Sequence, residues 1–170
     1  LAHSYMYVAD YYYLKNQKDS AVKYYLLAHQ KFESRGDSFY VYKCRHRIGA
    51  EISLNSDVET TLFWLSPALD YFAREKIYVF AAHIANDIGN VYRSAGNQFM
   101  WRSYVGRAEL YNSYAKDTLL SIIIHVQLAS NHRKNTNTGL SIAESLRALQ
   151  LARQSGYKFF EKISLLLLAD

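Results

Sequence analysis

The chain is poor in the residues that interrupt or staple a fold: its 170 residues hold one cysteine, one proline and seven glycines. An all-β sandwich or barrel needs a turn signal about every ten residues, so this scarcity argues against one and leaves long helices as the default. The lone Cys44 excludes an intrachain disulfide framework and a Cys-rich metal site. Charge of one sign is scarce too: 20 Lys plus Arg stand against 15 Asp plus Glu, and the net +5 is spread without the basic run that marks direct nucleic-acid contact. The most apolar stretches, 119–124 and 163–169, fall well short of the roughly 20 residues that span a bilayer, so no membrane insertion by this segment is expected. No Gly-rich phosphate loop, Gly-x-Ser-x-Gly elbow, His-Glu-x-x-His or Cys-x-x-Cys occurs. What the chain has in excess is tyrosine, 16 of them.

Laid over itself with a shift of 40, the sequence aligns small residues without insertion or deletion: Ala9, Gly49, Gly89, Ala129 and Ala169 in one column, Ala28, Ala68, Ala108 and Ala148 in another. Val8, Ile48, Ile88, Leu128 and Leu168 precede the first column, and Tyr12, Ile52, Tyr92 and His132 follow it by three. Further columns read Tyr25, Leu65, Val105, Ser145 and Phe39, Val79, Leu119, Phe159. Within each period apolar residues recur at three and four, the helical spacing. Polar breaks fall at 16–19, 55–57, 96–98 and 134–139, and again at 34–38, 74–76, 115–117 and 154–156. Each period therefore reads as two antiparallel helices, the small residue letting the second approach the first. Pro67 falls inside a second helix and predicts a kink or a restart capped by Ser66.

These residues carry a resemblance. Val8-Ala9 to Tyr12 followed by Ala21, Tyr25 and Ala28, and Ile88-Gly89 to Tyr92 followed by Ala108, resemble the tetratricopeptide repeat, with Leu-Gly-x-x-Tyr in the first helix and Ala-x-x-x-Phe in the second. Departures are the period of 40 rather than 34, Thr61, Trp101 and Ser141 in place of the first Ala of the second helix, and no closing proline. Longer periods of this kind resemble repeats of bacterial peptide-pheromone receptors, response-regulator phosphatases and sensor portions of transcription regulators and histidine kinases. The resemblance implies an all-α, right-handed α-α superhelix over 1–170, four helix pairs and the start of a fifth. Leu1 and Asp170 fall in register inside first helices, so an array cut at both ends from a longer protein is expected, its exposed ends open to self-association.

Function is then expected on the first helices, which in such stacks line the binding groove. Positions six and three before the small residue, then one and four after it, are His3, Met6, Asp10 and Tyr13; Lys43, His46, Ala50 and Ser53; His83, Asn86, Asn90 and Arg93; Ile123, Val126, Ser130 and Arg133. Asn86 and Asn90, four apart, present two carboxamides that can each donate to a peptide carbonyl and accept from a peptide N–H. The resembling families clamp extended peptides with paired asparagines. Lys43, His46, Arg93 and Arg133 would add charge for acidic groups, while Tyr13 and Asp10 complete the candidate groove. The competing reading is a solvated polar face.

His83 and Asp87 share a helix face without a visible third ligand, Cys44 and His46 do not share one, and His125 and His132 share one on which His132 takes a packing position. The expectation is therefore a protein- or peptide-binding module of a bacterial regulator, with no cofactor, metal or catalytic residue. Alternatives are a structural scaffold and the regulatory part of a phosphatase-type response-regulator modulator. A cytoplasmic location is favoured over a periplasmic one. Tyr12, Tyr92, Tyr25, Tyr24 and Tyr104 are assigned to packing, and Tyr7 and Tyr13 to the groove.

Overall fold

The computed structural model describes residues 1–53 and 57–169. Among them the chain forms α1 (Ala2–Leu14), α2 (Lys18–Glu33), α3 (Ser38–Ile52), α4 (Val58–Arg74), α5 (Tyr78–Ser94), α6 (Gln98–Ala115), α7 (Thr118–Lys134), α8 (Thr138–Gln154) and α9 (Lys158–Ala169), with no strand. The fold is all-α, as the period-3.6 pattern predicts. Most of the polar breaks coincide with the turns to within a residue or two; part of the break at 55–57, and the register of Asp170, lie outside the described residues.

The turns are built alike. Among the described residues, one in the left-handed region closes α1, α2 and α4 to α8: Gly36, Gly96 and Gly156, but also Asn16, Lys76, Lys116 and Thr136, where a Cβ makes that conformation costly. A carboxylate or carboxamide then starts several of the next helices, with Asp37 accepting from Tyr40 N, Asp57 from Thr60 N, Asn97 from Met100 N and Asp117 from Leu120 N. The Thr60 bonds hold the Asp57 carboxyl below its ordinary range.

The chain divides into two compact units, Leu1–Ala108 and Glu109–Asp170. In the first, α1 packs on α2, α2 on α3, α3 on α4 and α4 on α5; in the second, α7 packs on α8 and α8 on α9, with a smaller α7–α9 contact. Both small-residue columns are buried from Ala9 to Ala148, and only Ala169, the last described residue, is exposed. The first unit has a core of Ala2, Met6, Ala9, Ala21, Tyr25, Ala28, Phe32, Cys44 and Ile48, with Tyr5, Tyr12, Tyr24, Tyr40 and Trp64 packed against it. Tyr12 stacks on Tyr24 at 5.4 Å, and Tyr92 on Tyr104 at 5.6 Å. These tyrosines are structural, their large rings filling space beside small residues. In the second unit Ile122, Ala148 and Ala152 form a core with Val126, Leu151 and Phe160 against it, and Ser141 Oγ donates to the carbonyl of Ala129.

Pro67 does not restart its helix: α4 runs unbroken from Val58 to Arg74. A proline leaves the carbonyl four residues earlier without its helical donor. That carbonyl belongs to Phe63, and it accepts instead from the Arg45 guanidinium of α3, which also lies 5.1 Å from the Phe63 and Trp64 ring centroids. A side chain from the neighbouring helix thus supplies the missing hydrogen bond.

Candidate functional site

The candidate residues of the first unit lie on α1, α3 and α5. Asp10 is engaged: its carboxylate accepts from the Tyr25 hydroxyl, locking α1 to α2, and together with burial this pushes the Tyr25 phenol above its ordinary value. Tyr13 is partly exposed and lies under the Arg47 guanidinium of α3, 5.4 Å from its ring centroid. Lys43 places its ammonium 5.8 Å from the Tyr40 ring. A cation–aromatic contact of this kind is worth about 0.5–1 kcal/mol where exposed, so Lys43 and Arg47 are positioned rather than consumed.

His46 and Asp87 join α3 to α5, with Nε2 and Oδ2 2.8 Å apart. The position three before the small residue, expected in the groove, is buried in the first unit. Met6 is core, and His46 and Asn86 are buried, with Asn86 only 6% exposed. The reason is that first helices sit beside one another, and this position turns into the seam between them. Asp87, one residue past Asn86, reaches His46 across that seam.

Around the seam lies a cavity of about 310 Å³ lined by Ala50, Ser53, Asp87, Asn90, Arg93 and Ser94. Four of these six are residues expected at the positions one and four beyond the small residue, so α3 and α5 bring Ala50, Ser53, Asn90 and Arg93 together. The carboxamide oxygen of Asn90 is buried and has no hydrogen-bond partner, as is that of Asn86. An acceptor removed from water without a donor costs about 1–3 kcal/mol, which a ligand N–H would recover. Arg93 is exposed at the rim, and the Asp87 side chain is 31% exposed. The cavity therefore brings a cation and a carboxylate together within one short stretch, beside the Asn90 side chain. Arg133 belongs to the other unit, exposed on the last turn of α7.

Two arrangements escape a reading by single-helix spacing. His46 and Asp87 lie 41 residues apart. His125 and Glu144 lie 19 apart, with His125 Nδ1 2.6 Å from Glu144 Oε2 on α8, whose Oε1 accepts from Arg147 at 2.8 Å. The first separation is within one residue of the period, which is the signal that finds that pair; the second joins antiparallel neighbours, where no fixed spacing marks it. Cys44 is buried, its thiol pushed up to about 12 by burial, which leaves it unreactive near neutrality. Among the described residues no group of three His, Cys, Asp or Glu is placed to hold a metal ion, and no helix is long and apolar enough to cross a membrane. No protein-family model matches the chain, and no curated protein matches it.

Proposed function

We propose that the chain is a protein- or peptide-binding module of tetratricopeptide-like hairpins, wound as a right-handed α-α superhelix, that holds an extended segment of a partner against α3 and α5. The repeat is supported by its own arithmetic. The helices beginning at Lys18, Val58, Gln98 and Thr138 start 40 residues apart, as do those beginning at Ser38, Tyr78, Thr118 and Lys158. The left-handed residues fall at 16, 36, 76, 96, 116, 136 and 156, all separated by multiples of 20.

The observation that carries the binding reading is Asn90, which lines the cavity with Arg93, Asp87 and Ser53 and whose carboxamide oxygen is buried without a partner. An extended segment supplies the missing N–H from its backbone, and Arg93 takes an acidic group or a terminal carboxylate. We place the module in a larger bacterial regulator, a transcription regulator or a sensor kinase; this part of the proposal rests on the family resemblance alone.

Selection from a random peptide-display library against the 170-residue chain tests the site. Peptides so selected lose about tenfold or more in affinity for Asn90→Ala and Arg93→Ala, with melting temperatures unchanged. Equal binding by both variants sinks the assignment.

A scaffold role through the second helices has its own support. Apolar depressions on α2 (Asp19, Val22, Lys23, Leu26, Leu27 and Gln30, with Ile52 of α3) and on α4 (Val58, Glu59, Leu62, Phe63, Ser66 and Pro67) share five positions exactly one period apart. This reading predicts that Phe63→Ser abolishes partner capture while Asn90→Ala does not.

A further inference from the structure

The second unit contains a cavity of about 410 Å³, inside the roughly 300–1,000 Å³ range of ligand sites. Two facing stripes build it. Glu109, Asn112, Ser113 and Lys116 follow one another at i, i+3, i+4 and i+7 along the end of α6 and its turn, while Thr118, Ser121, Ile124 and His125 come from α7, and Leu151 from α8 adds an apolar wall.

The polar groups divide into two sets. Asn112 and Ser121 hold the turn together: Asn112 donates to the Asp117 carbonyl and to Ser121 Oγ and accepts from Asp117 N, and Ser121 donates to the Asp117 carbonyl. Ser113 donates to the Leu110 carbonyl. These groups shape the wall and are not open to a ligand. Three others are open among the described residues. The Glu109 carboxylate and the Lys116 ammonium, at the mouth, form no ion pair. His125 is held through Nδ1 by Glu144, which fixes the ring and leaves Nε2 unengaged. Although its side chain reaches solvent at the mouth, partial burial raises the Glu109 carboxyl from its ordinary value, with His125 and Arg147 opposing and Glu144 adding to the shift. Ile124, which is buried, and Leu151 form the apolar part of the lining.

We propose that this cavity binds a small zwitterion, an ammonium and a carboxylate joined by a short apolar body, as in an apolar amino acid or dipeptide. Glu109 takes the ammonium, with His125 Nε2 as a second acceptor, Lys116 takes the carboxylate, and Ile124 and Leu151 contact the apolar part. A ligand of one charge alone satisfies one of the two open groups and leaves its own charge facing the other. Glu109 lies on the last turns of α6 and Lys116 in the turn just past its end, so both charges border the same cavity.

The test titrates the 170-residue chain with leucine, leucyl-leucine, 4-methylpentanoate and 3-methylbutylamine, following the His125 ring protons by NMR. Saturation by leucine or by the dipeptide at about 1 mM or below is expected, with both singly charged analogues weaker by about tenfold or more. Which zwitterion saturates first separates the amino acid from the dipeptide. Glu109→Gln weakens the zwitterion but not the acid, and Lys116→Met weakens the zwitterion but not the amine; both side chains are exposed at the mouth, so melting temperatures stay unchanged. Absence of saturation by either zwitterion, equal affinity for a singly charged analogue, or indifference to both substitutions overturns the site.

Discussion

Gly49 of α3 and Gly89 of α5 hold the same place in successive hairpins, yet they are glycine for different reasons. A Cβ built on Gly49 would stand 2.5 Å from Leu65 Cδ2, 2.6 Å from its Cγ and 3.1 Å from Trp64 Cβ, so the α3–α4 pair is closed to the limit of contact. A Cβ on Gly89 would meet Tyr104 Cβ at 3.5 Å and Trp101 at 3.6 Å, ordinary van der Waals distances. Leu65 is fully buried and has little room to yield. In one hairpin the glycine is demanded by close approach; in the other alanine fits equally well.

The contrast can be tested from its strongest consequence downward. Gly49→Ala is expected to destabilise the chain by about 1–2 kcal/mol, overpacking against Leu65 and Trp64 outweighing the gain in helix propensity, as read from urea unfolding. A gain from Gly49→Ala would break the comparison. Gly89→Ala is expected to stabilise by about 0.5–1 kcal/mol in the same assay, because the propensity term acts with no clash to oppose it. Arg45→Met should cost about 0.5–1 kcal/mol: the stem and its packing survive, but the Phe63 carbonyl loses its donor and water at this exposed site replaces it in part. Its sharpening control is Arg45→Met combined with Pro67→Ala, which restores a helical N–H and should recover most of the loss.

The smallest effect is a pH dependence where α2 meets α4. His29 packs edge-on against Trp64 at 5.7 Å, with Nε2 buried and unpartnered, and burial lowers its pKa from the ordinary 6.5. The unfolded chain takes up a proton near that value which the folded chain resists, so this contribution is intact above about pH 6.5 and declines as pH falls below it. Melting temperature should drop on acidification from pH 7 to 5, and His29→Leu should flatten that part of the profile.

Much of the fold was legible because helix period, turn residues and small columns recur with one spacing: Ala28, Ala68, Ala108 and Ala148 are all fully buried, as their column demands. The difference between Gly49 and Gly89 was not legible, since both are simply small; it depends on how far Leu65 and Trp101 reach from the opposite helix. The setting of Pro67 was legible only in part, for a related reason. Sequence spacing shows the lost donor, but not that Arg45, 18 residues away in the chain to Phe63, replaces it. At the candidate site, Asn90 and Arg93 meet Ala50 and Ser53 where the register puts them, whereas the burial of His46 and Asn86 follows from the seam between first helices, which no single helix encodes.

Within each unit the main packing joins a helix to the next one along the chain. Such a chain has low contact order, since few contacts wait on the closure of a long loop. Folding on the microsecond-to-millisecond scale is the expected kinetic outcome, with any one hairpin able to nucleate its neighbours.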